Sequence, residues 1–229
     1  MSIKDGRYEI KFVTNTANFF NIINWVKLHK SCFYSPYPDR EINNIYFDKY
    51  NYFAYSENLS GTSERNKVRY RWYGNNDLPV NGKLEVKRRR NFYGWKESFS
   101  VNNHPDYASS KDSINAFKRH LENQVDKKGK FWIQNNPHPT MLNRYDRKYF
   151  VSDDNNIRLT VDSNLKVFDQ RYKSFININQ KANIPETIIV EFKCDRNQSE
   201  NLSKAIEGIP IRVSRNSKYI NAMRSIHRC

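Results

Sequence analysis

Basic residues recur at every second position in several short runs of this chain. In Lys67-Val68-Arg69-Tyr70-Arg71-Trp72 the alternation separates Lys67, Arg69 and Arg71 from Val68, Tyr70 and Trp72. Residues two apart share one face of a β-strand, so the run predicts a strand with a cationic face and an apolar face. Leu84-Glu85-Val86-Lys87-Arg88-Arg89 repeats the pattern, with Glu85, Lys87 and Arg89 on one side. Arg158, Thr160 and Asp162 stand opposite Ile157, Leu159 and Val161, and Glu191 and Lys193 stand opposite Ile188, Val190 and Phe192. Arg7, Glu9 and Lys11 alternate with Tyr8, Ile10 and Phe12. Between residues 62 and 96, ten Lys or Arg meet three Asp or Glu. That density suits forked, bidentate capture of phosphate oxygens.

An ordinary solvated sheet face explains any one of these strands. Five arginine-rich faces that each carry or adjoin a carboxylate point instead to an anionic ligand. If the sheet closes with its apolar faces outward, the charged faces line a lumen. Burying so many cations without a ligand would cost several kcal/mol each, about the effective desolvation penalty per ion. A polyanion in a wet tunnel removes that cost, and a divalent metal bridging to phosphate gives the carboxylates a role. Glu9 and Glu85 read best as salt-bridge partners that orient arginines. Asp162 is open between the metal and Arg158, and Lys67 and Arg88 to Arg90 are open between lumen and rim. Tyr70, Trp72 and Trp95 read as outer core.

The elements that position these faces follow from periodicity. Strands are expected at residues 7–13, 42–48, 51–56, 66–73, 83–90, 95–101, 142–151, 156–162 and 187–194. Asn81-Gly82 and the 91–94 segment are hairpin-turn signals. Phe19, Ile22, Ile23 and Val26 mark a helix capped by Thr14 or Thr16. Ile114, Phe117 and Leu121 mark another over 112–127, and short helices are expected near 199–206 and 217–227. Many strands with few intervening helices indicate an antiparallel α+β protein, read as a single domain.

The 229 residues carry 39 Lys or Arg against 24 Asp or Glu, a formal net charge of +15. Mean hydropathy is −0.91, yet 14% of residues are aromatic, too many for a disordered basic tail. Such a field attracts polyanions. No run approaches the roughly 18 apolar residues of a membrane span, and the charged opening Lys4, Asp5, Arg7, Glu9 and Lys11 argues against a secretion signal. Cys32, Cys194 and Cys229 are odd in number and far apart, which suits a reduced, cytoplasmic setting rather than a disulfide framework. None of the seven glycines falls into GxGxxG or GxxxxGK, so phosphates must be held by side chains. His29, His104, His120, His138 and His227 contain no HExxH pair and read as surface or structural.

The charged strands resemble the VTC domain, the catalytic domain of polyphosphate polymerases, within the CYTH or triphosphate-tunnel superfamily. The resemblance rests on residues 7–12, Asn44-Ile45-Tyr46-Phe47-Asp48, residues 65–73, Leu84-Glu85-Val86-Lys87-Arg88 and Trp95-Lys96-Glu97-Ser98-Phe99. It continues through Tyr145-Asp146-Arg147, residues 157–162, Val190-Glu191-Phe192-Lys193 and Ser217-Lys218-Tyr219. It implies a closed antiparallel β-barrel with helices packed outside. It further implies catalytic cations at Lys11, Arg69, Arg71, Lys87, Arg158, Lys193 and Lys218, and substrate-binding ones at Arg65, Lys96 and Arg147. Glu191 is implied as the ligand of Mn²⁺ or Mg²⁺. Arg7 stands where the triphosphatase branch has the first glutamate of ExExK, which favours the polymerase branch. The implied partners are ATP and polyphosphate, with the γ-phosphoryl of ATP passed to a growing chain. The alternatives are a metal-dependent triphosphatase and a non-catalytic polyanion binder. A nucleic-acid binder would interleave aromatics with cations on one face; here they alternate onto opposite faces.

Overall fold

The computed structural model describes residues 7–91, 93–102 and 113–227, with Arg7 described by its backbone alone. Lys4, Asp5, His104 and Cys229 lie outside the described residues. Eight strands form one sheet: β1 (Arg7–Asn15), β2 (Arg40–Asp48), β3 (Glu64–Tyr73), β4 (Gly82–Arg90), β5 (Tyr93–Val101), β6 (His138–Val151), β7 (Ile157–Asp169) and β8 (Thr187–Asp195). The helices are α1 (Phe19–Lys27), α2 (Phe53–Ser60), α3 (Ser113–Gln124), α4 (Lys127–Asn135), α5 (Ser199–Ala205) and α6 (Lys218–His227). The fold is thus mixed α and β, with the antiparallel pairing that the alternation predicts.

The expected closed barrel is corrected by the strand order, β1-β8-β7-β6-β2-β3-β4-β5, which begins at β1 and ends at β5. Closure would need the outer side of β1 to take another strand. That side is met by a non-strand segment: Phe12 bridges Val213, and Ser214 N–H donates to the Lys11 carbonyl at 2.9 Å.

The chain gathers into two compact units. The first comprises Met1–Glu41, Tyr145–Leu165 and Pro185–Ser217. Its core joins the apolar faces of β1, β7 and β8 (Phe12, Leu159, Val161, Val190, Phe192) to Ile22 and Val26 of α1 and Leu202 of α5. The second comprises Ile42–Arg144, Lys166–Ile184 and Lys218–Cys229. Its core sets Val68, Tyr70 and Trp72 of β3 and Leu84 and Val86 of β4 against Phe117 and Leu121 of α3 and Ile133 of α4. In each unit the apolar residues of the alternating strands face the helices, leaving the charged face on the other side.

Three local expectations are also corrected. Residues 51–56 belong to α2 and its approach rather than to a strand. Asp48 accepts from the N–H groups of Lys49 (2.7 Å), Ala54 (2.8 Å) and Tyr55 (3.0 Å), which satisfies the open end of that helix. Neither Thr14 nor Thr16 caps α1: Asn18 precedes it without a side-chain cap bond and instead donates to Thr14 Oγ1 at 2.7 Å. Gly82 opens β4 instead of forming a turn. A Cβ there would stand 2.3 Å from the Arg71 carbonyl and 2.8 Å from the Tyr70 hydroxyl, so the close approach of β3 needs glycine. The β4–β5 turn does fall as expected, on Asn91 at φ +54°.

Candidate functional site

In the second unit, strand register stacks the basic positions into rows. Lys67 of β3 pairs with Lys87 of β4, which pairs with Lys96 of β5. The adjacent row sets Arg65 against Arg89. The next holds Tyr46, Arg69, Glu85 and Ser98, and beyond it stand Asn44, Arg71 and Lys83. Glu85 is the one carboxylate in these rows, and it is 2% exposed. It accepts from Arg69 Nε (2.9 Å) and Nη2 (2.6 Å) and from Lys96 Nζ (2.7 Å), with Arg71 Nε 3.8 Å away. Burial pushes the Glu85 carboxyl up, but Arg69, Arg71 and Lys96 outweigh it and hold the group well below the carboxylate range.

Two further contacts aim the arginines. Arg69 Nη1 donates to the Tyr46 hydroxyl at 3.1 Å, and Arg71 Nε donates to Asn44 Oδ1 at 2.8 Å. Asn44 in turn donates to Asn143 at 2.7 Å. Tyr46 stacks on Tyr219 of α6 with ring centroids 5.0 Å apart, and the Tyr219 hydroxyl donates to Asp48 at 2.7 Å. Burial, with Asp48 beside it, holds the Tyr219 phenol above its usual range, so it stays a donor. Lys218, half-buried, opens the same helix. Arg65 donates to the Gly61 and Thr62 carbonyls at 3.3 and 2.6 Å. Arg88 lies on the opposite, helix-facing side, over the Trp95 and Trp132 rings, and pairs with Glu97 at 3.5 Å.

In the first unit, Lys11 pairs across β1–β8 with Glu191, which pairs with Thr160 of β7; Glu9 pairs with Lys193, which pairs with Arg158. Glu191 is buried, with Lys193 Nζ at 2.8 Å and Lys11 Nζ at 3.4 Å. Lys11 also meets Glu9 at 2.5 Å. Burial alone would lower the Lys11 ammonium, but Glu191 and Glu9 raise it above its ordinary value. Arg147 forks onto Asp162 at 2.6 and 2.7 Å. Burial works against that guanidinium, yet Tyr145 and Asp162 raise its pKa. Arg158 is exposed.

Within the second unit Arg65, Arg69, Arg71, Lys87 and Lys96 share one sheet face, and within the first Lys11, Arg158, Lys193 and Glu191 share one. Lys67 joins the second unit's group. Asp162 serves Arg147 rather than Arg158. Tyr46 and Asn44 are the site residues that pattern reasoning missed. Arg89, left open between lumen and rim, joins the second unit's group through its pairing with Arg65. Among the described residues no group of three or more His, Cys, Asp or Glu is gathered for a metal. Thr160 Oγ1, opposite Glu191, is buried without a hydrogen-bond partner among the described residues.

The sequence model of the VTC domain family matches residues 6–227. The chain belongs to the VTC domain family. Among curated proteins, none matches this VTC domain significantly. Among solved structures, a Vibrio parahaemolyticus protein described provisionally as an adenylate cyclase is 11% identical, over 94% of this chain and 96% of that one, with a TM-score of 0.47. A Pyrococcus horikoshii protein is 9% identical, over 96% and 99% of the respective chains, also at 0.47. The Mediator head module of Schizosaccharomyces pombe is 9% identical, over 87% and 88%, at 0.39. Likeness at this level assigns neither fold nor activity to the VTC domain described here.

Proposed function

We propose that this VTC domain is a metal-dependent polyphosphate polymerase that moves the γ-phosphoryl group of ATP onto the end of a polyphosphate chain. The observation that carries the reading is the row Lys67–Lys87–Lys96 beside the pair Arg65–Arg89. Like charges directly opposite one another in a sheet repel, so a face built this way is relieved when a polyanion lies along it. Arg69, held by Glu85 and Tyr46, is oriented before any ligand arrives, which is the condition for electrostatic catalysis without reorganisation.

In the reaction, the bond between the γ-phosphorus and the bridging oxygen of ATP breaks, and ADP leaves with the electron pair. A terminal oxygen of polyphosphate forms the new bond to the same phosphorus. The attacking oxygen is already anionic, so no side chain has to remove a proton. Arginine and lysine side chains hold donor and acceptor in line and neutralise the equatorial oxygens. Lys11, Arg158, Lys193 and Lys218 are assigned to that task with Arg69, Arg71 and Lys87, while Arg65, Lys96 and Arg147 hold the ligand or its supporting groups.

Glu191, beside the unpartnered Thr160 hydroxyl, suits a hard cation such as Mn²⁺ or Mg²⁺ that keeps phosphate oxygens and waters as its other ligands. Such a cation would supply charge neutralisation at the transferring group. Arg7 at the head of β1 leaves fewer carboxylates for metal than the triphosphatase pattern and supports the polymerase. The single family match over residues 6–227 supports reading both units as one catalytic domain. No helix among the described residues is long and apolar enough to cross a membrane, and Cys32 and Cys194 are free thiols; an ATP-rich, reducing cytoplasm suits both the substrate and the thiols. Incubation with γ-labelled ATP and Mn²⁺, with products resolved on a gel, tests the proposal. A ladder of labelled chains is expected. Labelled orthophosphate alone would make the enzyme a triphosphatase, and unchanged ATP would make the domain a binder.

A further inference from the structure

A second cluster in the Ile42–Arg144, Lys166–Ile184 and Lys218–Cys229 unit shares no residue with the basic rows. His138, at the start of β6, is buried beneath three tyrosine rings. Tyr50 stacks on it at 5.4 Å, and Tyr52 and Tyr172 meet it at 5.6 Å each. The Tyr52 and Tyr172 hydroxyls are 3.0 Å apart, and the Tyr52 hydroxyl is 3.4 Å from His138 Nε2. Burial, then Tyr172, raises the Tyr52 phenol to about 12, so that hydroxyl stays protonated.

Two features of this cluster are unexplained by packing. Tyr52 and Tyr172 both adopt left-handed backbone, at φ +55° and +57°, a conformation costly for a bulky residue. Tyr52 is half-buried, but Tyr172 is 83% exposed, so burial does not offset the strain there, and the ring of Tyr50 is 70% exposed. The backbone holds aromatic faces in water. Around them the charge is basic. Lys49 sits over the neighbouring Phe53 ring at 4.6 Å, and Arg171 and the half-buried Lys173 flank Tyr172. Of the nearby acids, Asp169 is forked by Arg171 at 3.0 Å, each offsetting the other, Asp48 is filled by backbone N–H groups and Tyr219, and Glu57 lies within electrostatic reach of Lys49, so the excess positive charge at the rim comes from Lys49 and Lys173. A basic rim repels cationic ligands such as quaternary ammonium and favours a planar group that carries negative charge.

We propose that Tyr50, Tyr52 and Tyr172 form a stacking platform for the base of a nucleoside phosphate, supplied either as a free nucleotide or as a residue of a single strand. The stack continues from the base through Tyr50 to His138, and the phosphate meets the lysine rim. Base–aromatic stacking of this kind tolerates any base.

The full chain, titrated calorimetrically with adenosine monophosphate, ribose 5-phosphate and a short single-stranded oligodeoxynucleotide, tests the platform. Tyr50→Ala and Tyr172→Gly each remove one exposed ring, and glycine accepts the left-handed backbone at position 172. The expected result is base-dependent binding that each substitution weakens about tenfold, with ribose 5-phosphate unaffected. If the mononucleotide shows this loss, the source is free nucleotide; if the oligonucleotide alone shows it, the source is a single strand. Equal affinity for adenosine monophosphate and ribose 5-phosphate, or base-dependent affinity that both variants retain, overturns the proposal.

Discussion

Glu85 and Glu191 are both buried carboxylates among cations, Glu85 beside two arginines and a lysine and Glu191 beside two lysines and the Thr160 hydroxyl. Glu85 is saturated by Arg69 and Lys96 at hydrogen-bonding distance. Removing its charge leaves Arg69 buried without its counter-ion, so Glu85→Gln should cost about 3–5 kcal/mol of folding stability, read from urea unfolding. Its folded pKa lies below the unfolded value of 4.5. The stabilisation it gives is therefore complete above about 4.5 and is lost as pH falls below that value towards the folded pKa. Urea midpoints measured across that acid range should decline in the wild type, and a flat profile would contradict the assignment. Glu191→Gln should behave oppositely. Turnover falls by orders of magnitude while the protein still binds triphosphate, because an amide oxygen is a poor ligand for a hard cation. Full metal-dependent turnover in that variant would place the metal elsewhere. The basic and acidic members of these sets were legible because strand alternation fixes their face. Tyr46 and Asn44 were not, because β2 is buried on both faces from Asn43 to Asp48 and carries no alternation to read.

At the scale of elements, β3 and β4 were legible from their period-two pattern, and α1 and α3 from their apolar stripes. The helix α2 was not. Asn51-Tyr52-Phe53-Ala54-Tyr55-Ser56 is aromatic and alternates, as a strand would, but the carboxylate that caps its helix lies back at the end of β2. Asp48→Asn should lower the melting temperature, since an amide accepts fewer of the four hydrogen bonds; an unchanged melting temperature would remove Asp48 from that role. The helix α4 was hidden by the Lys127-Lys128-Gly129-Lys130 start, poor in apolar residues and carrying glycine, although Asp126 caps it by accepting from Gly129 N–H at 2.7 Å. Gly82→Ala tests the β3–β4 contact. The added methyl collides with backbone that cannot yield cheaply, so a loss of about 1–3 kcal/mol is expected, and neutral stability would show that β4 can shift at that end.

Across the whole chain, the net charge of +15 and the alternation together predicted a sheet with a cationic face before any topology was known. The closed barrel did not follow from them. What meets the outer side of β1 is residues 213–214, a segment with no strand pattern, and no periodicity signals such a partner. The charge also sets an expectation for ligands. Tripolyphosphate binding the folded state alone raises stability by RT ln(1 + [L]/Kd), about 2.7 kcal/mol at a hundredfold excess over Kd. The melting temperature should rise more with tripolyphosphate than with duplex DNA at the same charge and salt. Equal shifts would indicate a nonspecific basic surface.

The central claim is that Lys87, at the middle of the Lys67–Lys87–Lys96 row, serves a phosphate chain, whereas Lys96 also holds the buried Glu85. Calorimetric titration of tripolyphosphate into the wild type and Lys87→Ala, with the melting temperature of each taken without ligand, tests it most directly. The row predicts affinity about tenfold or more weaker in the variant, from the loss of a charge-assisted contact, in a protein that still unfolds cooperatively at a melting temperature well above that of the titration. Wild-type affinity in Lys87→Ala would contradict it.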